Sequence, residues 1–243
     1  MYIIKLNAID STNSYLKDMV SVGLPSDYTV VVAETQKKGR GQMGAKWQAE
    51  RGKNLTVSVF KRLSFLNINE QFYISMAVSL AIYKALNTFK IPQLRIKWPN
   101  DILSAEYKLC GILIENVIKN NILQGSIIGF GLNVNQKFFN NLPQASSMSL
   151  VSGVIYNKDE VLSEVLNQLK AYFEILESKN HIDIKSEYES LLFRKDKPST
   201  FSDSKNESFP GIIKGITDSG QLQVWTEDEI VKTFDLKEIK LLY

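Results

Sequence analysis

LCGILIENVIKNNILQGSII, residues 109–128, is the stretch on which the architecture turns. Leu109–Val117 and Ile122–Ile128 are two apolar, isoleucine-rich runs joined by the polar Lys119-Asn120-Asn121. Two strand-length runs across so short a polar turn predict an antiparallel hairpin. Parallel neighbours need a crossover of about a dozen residues or more, so the hairpin argues against a doubly wound parallel sheet. Upstream, Leu94–Lys97 predicts a short strand that runs into Trp98-Pro99-Asn100-Asp101, which has good turn chemistry. Residues 70–90 are apolar on most sides and predict a long buried helix. Leu55–Phe60, Thr29–Glu34 and residues 2–6 predict further strands. Asp10-Ser11-Thr12-Asn13 supplies helix N-cap types ahead of a helix over 12–22, which Gly23 and Pro25 end.

Downstream, Gly129–Asn135 carries the second hairpin strand into a loop, and Lys158–Glu177 is amphipathic at helical spacing. Residues 194–210 are polar and predict a linker or exposed loop. Short strands with turn signals then follow, at Gly211–Ile216, Leu222–Thr226, Glu229–Phe234 and Ile239–Leu242, and suggest a small β-barrel. No internal repeat interrupts this order. The expected fold class is α+β: a mixed, largely antiparallel sheet packed with helices over residues 1–193, then a small all-β domain over 194–243.

Composition narrows the function. The 243 residues are 44% hydrophobic and 23% charged, ordinary for a globular chain, and the formal net charge is only +3. Such a balance is wrong for a protein whose main work is neutralising a nucleic-acid backbone. The basic residues are spread along the chain with acids between them, against a nucleic-acid-binding face. One cysteine, Cys110, rules out an internal disulfide. The one histidine, His181, lies in a polar stretch without triad partners and is expected on the solvated surface. No signal peptide and no membrane-length apolar run is present, so a soluble, cytoplasmic protein is expected.

Three segments carry chemistry. Gln36-Lys37-Lys38-Gly39-Arg40-Gly41-Gln42-Met43-Gly44-Ala45-Lys46-Trp47 lies in a long glycine-rich loop, residues 35–54. Glycines let backbone N–H groups approach a phosphate, Arg40 offers a bidentate guanidinium, and Trp47 can stack on a ring. The segment matches neither the P-loop nor the Rossmann fingerprint. Lys97-Trp98-Pro99-Asn100-Asp101 reads either as a plain turn or as the rim of a site facing phosphate, metal or an amine. In Lys108-Leu109-Cys110-Gly111-Ile112-Leu113-Ile114-Glu115, a partly buried Lys108 is a site candidate. Cys110 reads as a small core residue.

With Ser11-Thr12-Asn13, Glu34-Thr35-Gln36 and Gly129-Phe130-Gly131-Leu132-Asn133-Val134, these segments resemble the biotin–protein ligase family in order and spacing. The resemblance is strong over roughly residues 8–135 and poor in motifs beyond. It implies a class II synthetase-like catalytic domain and an SH3-like C-terminal barrel. It implies that ATP, biotin and Mg²⁺ are bound, with no dedicated metal-ligand cluster. By matching position, Ser11, Thr12, Asn13 and Gln36 are implied to contact biotin. Gly39, Arg40, Gly41 and Gln42 are implied to fold over the biotin carboxylate and the α-phosphate, and Trp47 to pack near adenine. Lys108 is implied to contact biotin and phosphate oxygens. Gly111, Gly129 and Gly131 are implied to line the floor, and Asn133 and Asp101 the phosphate or magnesium environment. Arg40 and Lys108 are the implied catalytic cations, with Asp101 as base or orienter.

The chain departs from many relatives at Gln42 and Ala45, where they carry basic residues, and a looser hold on biotinyl-adenylate is expected. No helix-turn-helix is expected before Ser11, and no DNA binding. The implied partner is the biotin carboxyl carrier domain of acetyl-CoA carboxylase or another biotin-dependent carboxylase, recognised through an exposed strand edge, and a homodimer is compatible with the family. A lipoate/octanoyl-protein ligase or transferase of the same superfamily is the alternative. A non-catalytic sensing module is expected to lack Arg40 or Lys108, and both are present.

Overall fold

Strand-period alternation yields two sheets in the computed structural model, which describes residues 1–243. The larger has seven strands in the order β1 (Tyr2–Leu6), β2 (Thr29–Ala33), β3 (Leu55–Arg62), β7 (Ile122–Leu132), β6 (Tyr107–Lys119), β5 (Asp101–Ser104) and β4 (Leu94–Lys97). Only β1 and β2 pair in parallel, and every other neighbour is antiparallel. The central hairpin is β6–β7. Its turn residues Asn120 and Asn121 have φ of 50° and 57°, the left-handed pair that a two-residue hairpin turn requires and asparagine tolerates.

Alternation splits the central strands between two environments. Val57, Val59, Ile112, Ile128, Phe130 and Leu132 enter the main core, together with α2 (Phe72–Thr88), α4 (Lys158–Glu177) and α5 (His181–Ser190). Helix α2 is buried on most sides because α4 and α5 pack over it. Each fully buried isoleucine or leucine there stabilises by about 1.5–3 kcal/mol. On the other face Phe60 and Ile127 join Leu16 and Val31 beneath α1 (Thr12–Val22). Ser11 caps α1 by accepting from the Ser14 N–H, and the Gly23 N–H donates to Met19 O at its other end. A short α3 (Met148–Ser152) starts at the Ser147 cap.

The second sheet has five antiparallel strands in the order β11 (Val231–Phe234), β10 (Leu222–Thr226), β9 (Ser208–Ile216), β8 (Pro198–Asp203), β12 (Ile239–Leu242). β11 and β12 are its edges and do not pair with each other. Phe201, Ile213, Ile216, Leu222, Val224 and Ile239 belong to the same core cluster as α2 and α5. No helix is long and apolar enough to cross a membrane.

Three local expectations change. Residues 198–203, expected as linker or loop, form β8, whose buried positions are Ser199, Phe201 and Ser202. Serines at inward positions hide the alternation. Asp101 opens β5 rather than ending a turn. His181 is not a solvated histidine: it stacks on Tyr73 at 4.4 Å, its Nδ1 lies 3.8 Å from Glu70, and its side chain is 20% exposed. The aromatic neighbour comes from α2, more than 100 residues upstream, so the local polar sequence gave no sign of it.

Candidate active site on the glycine face of the sheet

The face of the sheet beneath α1 carries two cross-strand rows. Ser58, Gly129 and Leu113 are in register across β3, β7 and β6, and so are Thr56, Gly131 and Gly111. The glycines make this face shallow, and two side chains fill the space. Asn13 sits over the first row: a Cβ on Gly129 would lie 2.2 Å from its Oδ1. Trp47 lies over the second, where a Cβ on Gly131 would lie 2.1 Å from its indole. Between α1, the glycine-rich loop and these rows lies a cavity of about 180 Å³.

The polar end of the cavity is built by the start of α1. Gln36 Oε1 accepts from the Thr12 backbone N–H at 2.7 Å, and Ser58 Oγ lies 2.7 Å from Thr12 Oγ1 and 2.5 Å from Asn13 Oδ1. Asn13 Nδ2 donates to Glu115 Oε2 at 2.8 Å. The loop folds back on itself through a Trp47 N–H to Gly39 O bond and an Arg40–Lys46 bridge.

The lining also carries charge. Arg40, Lys46 and Lys108 line the cavity, with Asp101 as its one carboxylate. A net positive, half-enclosed wall suits anions, because fixed charges act more strongly away from bulk water. Lys108 pairs with Asp101 at 2.6 Å, and the Asp101 side chain is only 15% exposed. Arg40 pairs with Glu115 at 2.8 Å. Just behind, burial pulls the Lys97 ammonium below the usual lysine range, against the opposing pull of Asp101. Burial pushes the Cys110 thiol far up, so it is a core group and not a nucleophile. No group of three or more His, Cys, Asp or Glu side chains gathers here or elsewhere to hold a metal ion.

Of the residues singled out from sequence, Ser11, Thr12, Asn13, Gln36, Arg40, Gly41, Gln42, Trp47, Asp101, Lys108, Gly111, Gly129 and Gly131 line this one cavity. Gly39 and Asn133 do not. Gly39 packs behind it against the Trp47 backbone. Asn133 is buried and donates to Ser146 O, anchoring the loop ahead of α3. Sequence reasoning gave no role to Ser58, and none to Glu115 beyond its place in a motif. The signal for Ser58 was available: Thr56 and Ser58 are polar at spacing 2 in the otherwise apolar run Leu55–Phe60, which marks one face as a site wall.

Comparison with known proteins agrees with this geometry. Residues 6–133 match the Biotin/lipoate A/B protein ligase family. The bifunctional ligase/repressor BirA of Escherichia coli is 29% identical over 238 residues, 97% of this chain and 73% of that one. The biotin–[acetyl-CoA-carboxylase] ligase of Mycobacterium tuberculosis is 30% identical over 66% of this chain and 60% of its own. Among solved structures, the biotin protein ligase from Aquifex aeolicus in complex with biotin and ATP superposes with a TM-score of 0.82 at 25% identity, covering 99% of this chain and 98% of that one. A family match across more than half of the chain, on the segment that builds the cavity, makes this protein a member of the biotin/lipoate A/B protein ligase family.

Proposed function

We propose that the protein is an ATP-dependent biotin–protein ligase. It activates biotin as biotinyl-5'-AMP and transfers the biotinyl group to a lysine of a biotin carboxyl carrier domain. The observation that carries this reading is the convergence of Arg40 and Lys108, from separate stretches of chain, on one cavity that Thr12, Asn13 and Gln36 also line.

The chemistry follows from that layout. An oxygen of the biotin carboxylate attacks the α-phosphorus of ATP, and the bond to pyrophosphate breaks. Two anions must meet, so fixed cations are needed to offset repulsion and to stabilise charge in the transition state. Lys108 is the proposed principal cation, oriented by Asp101, and Arg40 the second. Ser11, Thr12, Asn13 and Gln36 are the proposed biotin contacts; Gly41, Gln42 and Trp47 flank the nucleotide; Gly111, Gly129 and Gly131 form the floor. The residues present fit Mg²⁺ as an ion carried by the nucleotide phosphates, with Asp101 as the available protein carboxylate; bound there, it would neutralise phosphate charge. In the second step the acceptor amine attacks the carbonyl carbon of the mixed anhydride and AMP leaves. The loop over the cavity shields that anhydride from water.

β5 pairs with β6 only over Tyr107–Gly111, which leaves Leu113–Lys119 with one open edge next to the cavity. We propose this edge as the dock for the acceptor hairpin by strand addition. The five-stranded C-terminal sheet is proposed as the family's SH3-like module, with the domain boundary between residues 193 and 194.

Biotin-dependent release of pyrophosphate from Mg-ATP tests the assignment. Release with biotin and none with lipoate supports it; release with lipoate and none with biotin replaces it with a lipoate ligase.

A further inference from the structure

Five side chains form an unbroken polar line under α1, Arg40, Glu115, Asn13, Ser58 and Thr12, and the Thr12 backbone N–H carries it on to Gln36. Their hydrogens can be placed from the Arg40 end. A guanidinium only donates and a carboxylate only accepts. Asn13 therefore turns Nδ2 to Glu115 at 2.8 Å and to Leu113 O at 3.3 Å. Its Oδ1 is left as an acceptor, 2.5 Å from Ser58 Oγ. Ser58 has one hydrogen, and this short oxygen–oxygen contact needs it. The reverse order would set two lone pairs against each other there. Thr12 Oγ1, 2.7 Å from Ser58 Oγ, must then donate to Ser58. Its longer 3.1 Å approach to Gln36 Oε1 is left without a hydrogen, and the Thr12 backbone N–H serves that oxygen at 2.7 Å. Thr12 Oγ1 thus offers the cavity lone pairs, and Gln36 offers its Nε2 hydrogens.

We propose that Ser58 and Glu115 are specificity-determining positioning residues, which fix Thr12 Oγ1 as an acceptor on the polar wall of the cavity, beside the Gln36 donor that the Thr12 backbone N–H orients. A cyclic urea presents the complement, an N–H beside a C=O. A dithiolane or an alkyl chain presents neither. Ser58 is fully buried, so its hydrogen has no water to turn to, and Glu115 acts from between Arg40 and Asn13 without itself lining the cavity. This inference rests on the biotin reading above and adds the device that selects the urea.

The test is calorimetric binding to the full chain without nucleotide. The probes are biotin and 2-iminobiotin, whose protonated guanidinium replaces the urea C=O with a donor. Wild type should prefer biotin by about 100-fold or more, as sites built on buried hydrogen bonds do. Ser58→Ala removes one oxygen, and Glu115→Gln lets the order reverse. Each should cut that preference about tenfold or more, through weaker biotin binding, and Ser58→Ala, which touches neither cation, should leave affinity for ATP alone in place. If both variants keep the wild-type preference, the proposal is overturned. Wild type that binds neither probe overturns the biotin reading instead, so the two failures are separable.

Discussion

Gly131→Ala should expel Trp47 from its seat and damage the nucleotide end of the site while sparing the biotin end. The added Cβ would lie 2.1 Å from Trp47 Cε2, 2.4 Å from Cζ2 and 2.6 Å from Nε1. Carbon atoms rest about 3.5–4.0 Å apart, so the indole must move by more than 1 Å, roughly the difference. β7 cannot yield, because it is paired on both sides, with β3 and β6. Forcing an extra methyl into a filled space destabilises by about 1–3 kcal/mol. For a chain of this size each kcal/mol lowers Tm by about 2–4 °C, so a fall of about 2–12 °C is expected. The Kd for ATP should rise about tenfold or more, equivalent to about 1.4 kcal/mol, and that for biotin should change by less than about twofold. Gly129→Ala is the mirror test. Its Cβ would lie 2.2 Å from Asn13 Oδ1, so biotin binding should fail and ATP binding persist. Thermal denaturation, tryptophan emission and calorimetry with each ligand read these effects. A Gly131→Ala protein with unshifted emission and wild-type ATP affinity would refute the assignment of Trp47 to the nucleotide.

Three further outcomes are expected. Lys108→Ala leaves the half-buried Asp101 carboxylate without its ion-pair partner, so it should lower stability by about 1–3 kcal/mol and biotin-dependent pyrophosphate release by about 100-fold or more; pyrophosphate assays and denaturant melts check both. Lys97 holds its proton less tightly folded than unfolded, because burial disfavours its charge; raising the pH through its lowered folded value toward the ordinary lysine value therefore favours the folded state. The stability of Lys97→Met relative to wild type should accordingly shrink as the pH rises toward the ordinary lysine value, measured as a difference in Tm. Gln42→Arg adds a cation to the cavity lining and should slow dissociation of biotinyl-adenylate; an unchanged off-rate counts against a charge-based hold.

The features legible in the sequence were those set by near neighbours. The β6–β7 hairpin, the Ser11-capped helix and α4 follow from local pattern, and the glycine-rich loop and the Lys108 strand declared themselves by residue type. What was not legible depends on distant chain. β8 hides behind inward serines, and α5 reads as polar because Ile184 and Tyr188 are its only buried residues. His181 meets its aromatic partner from another helix. Ser58 and Glu115 matter through bonds to α1 and the loop, separations of 45 and 75 residues or more, which no local window spans. Asn133 is named through the family resemblance; its Nδ2 donates to Ser146 O while its buried Oδ1 has no hydrogen-bond partner, an arrangement no local pattern announces.

The most direct measurement is the mass of an isolated biotin carboxyl carrier domain after incubation with the protein, biotin and Mg-ATP. Gain of a single biotinyl group on one lysine, dependent on ATP and abolished by Lys108→Ala, is the expected result. An unmodified carrier, or one modified equally well by the Lys108→Ala protein, contradicts the idea that this cavity joins a carboxylate to a nucleotide.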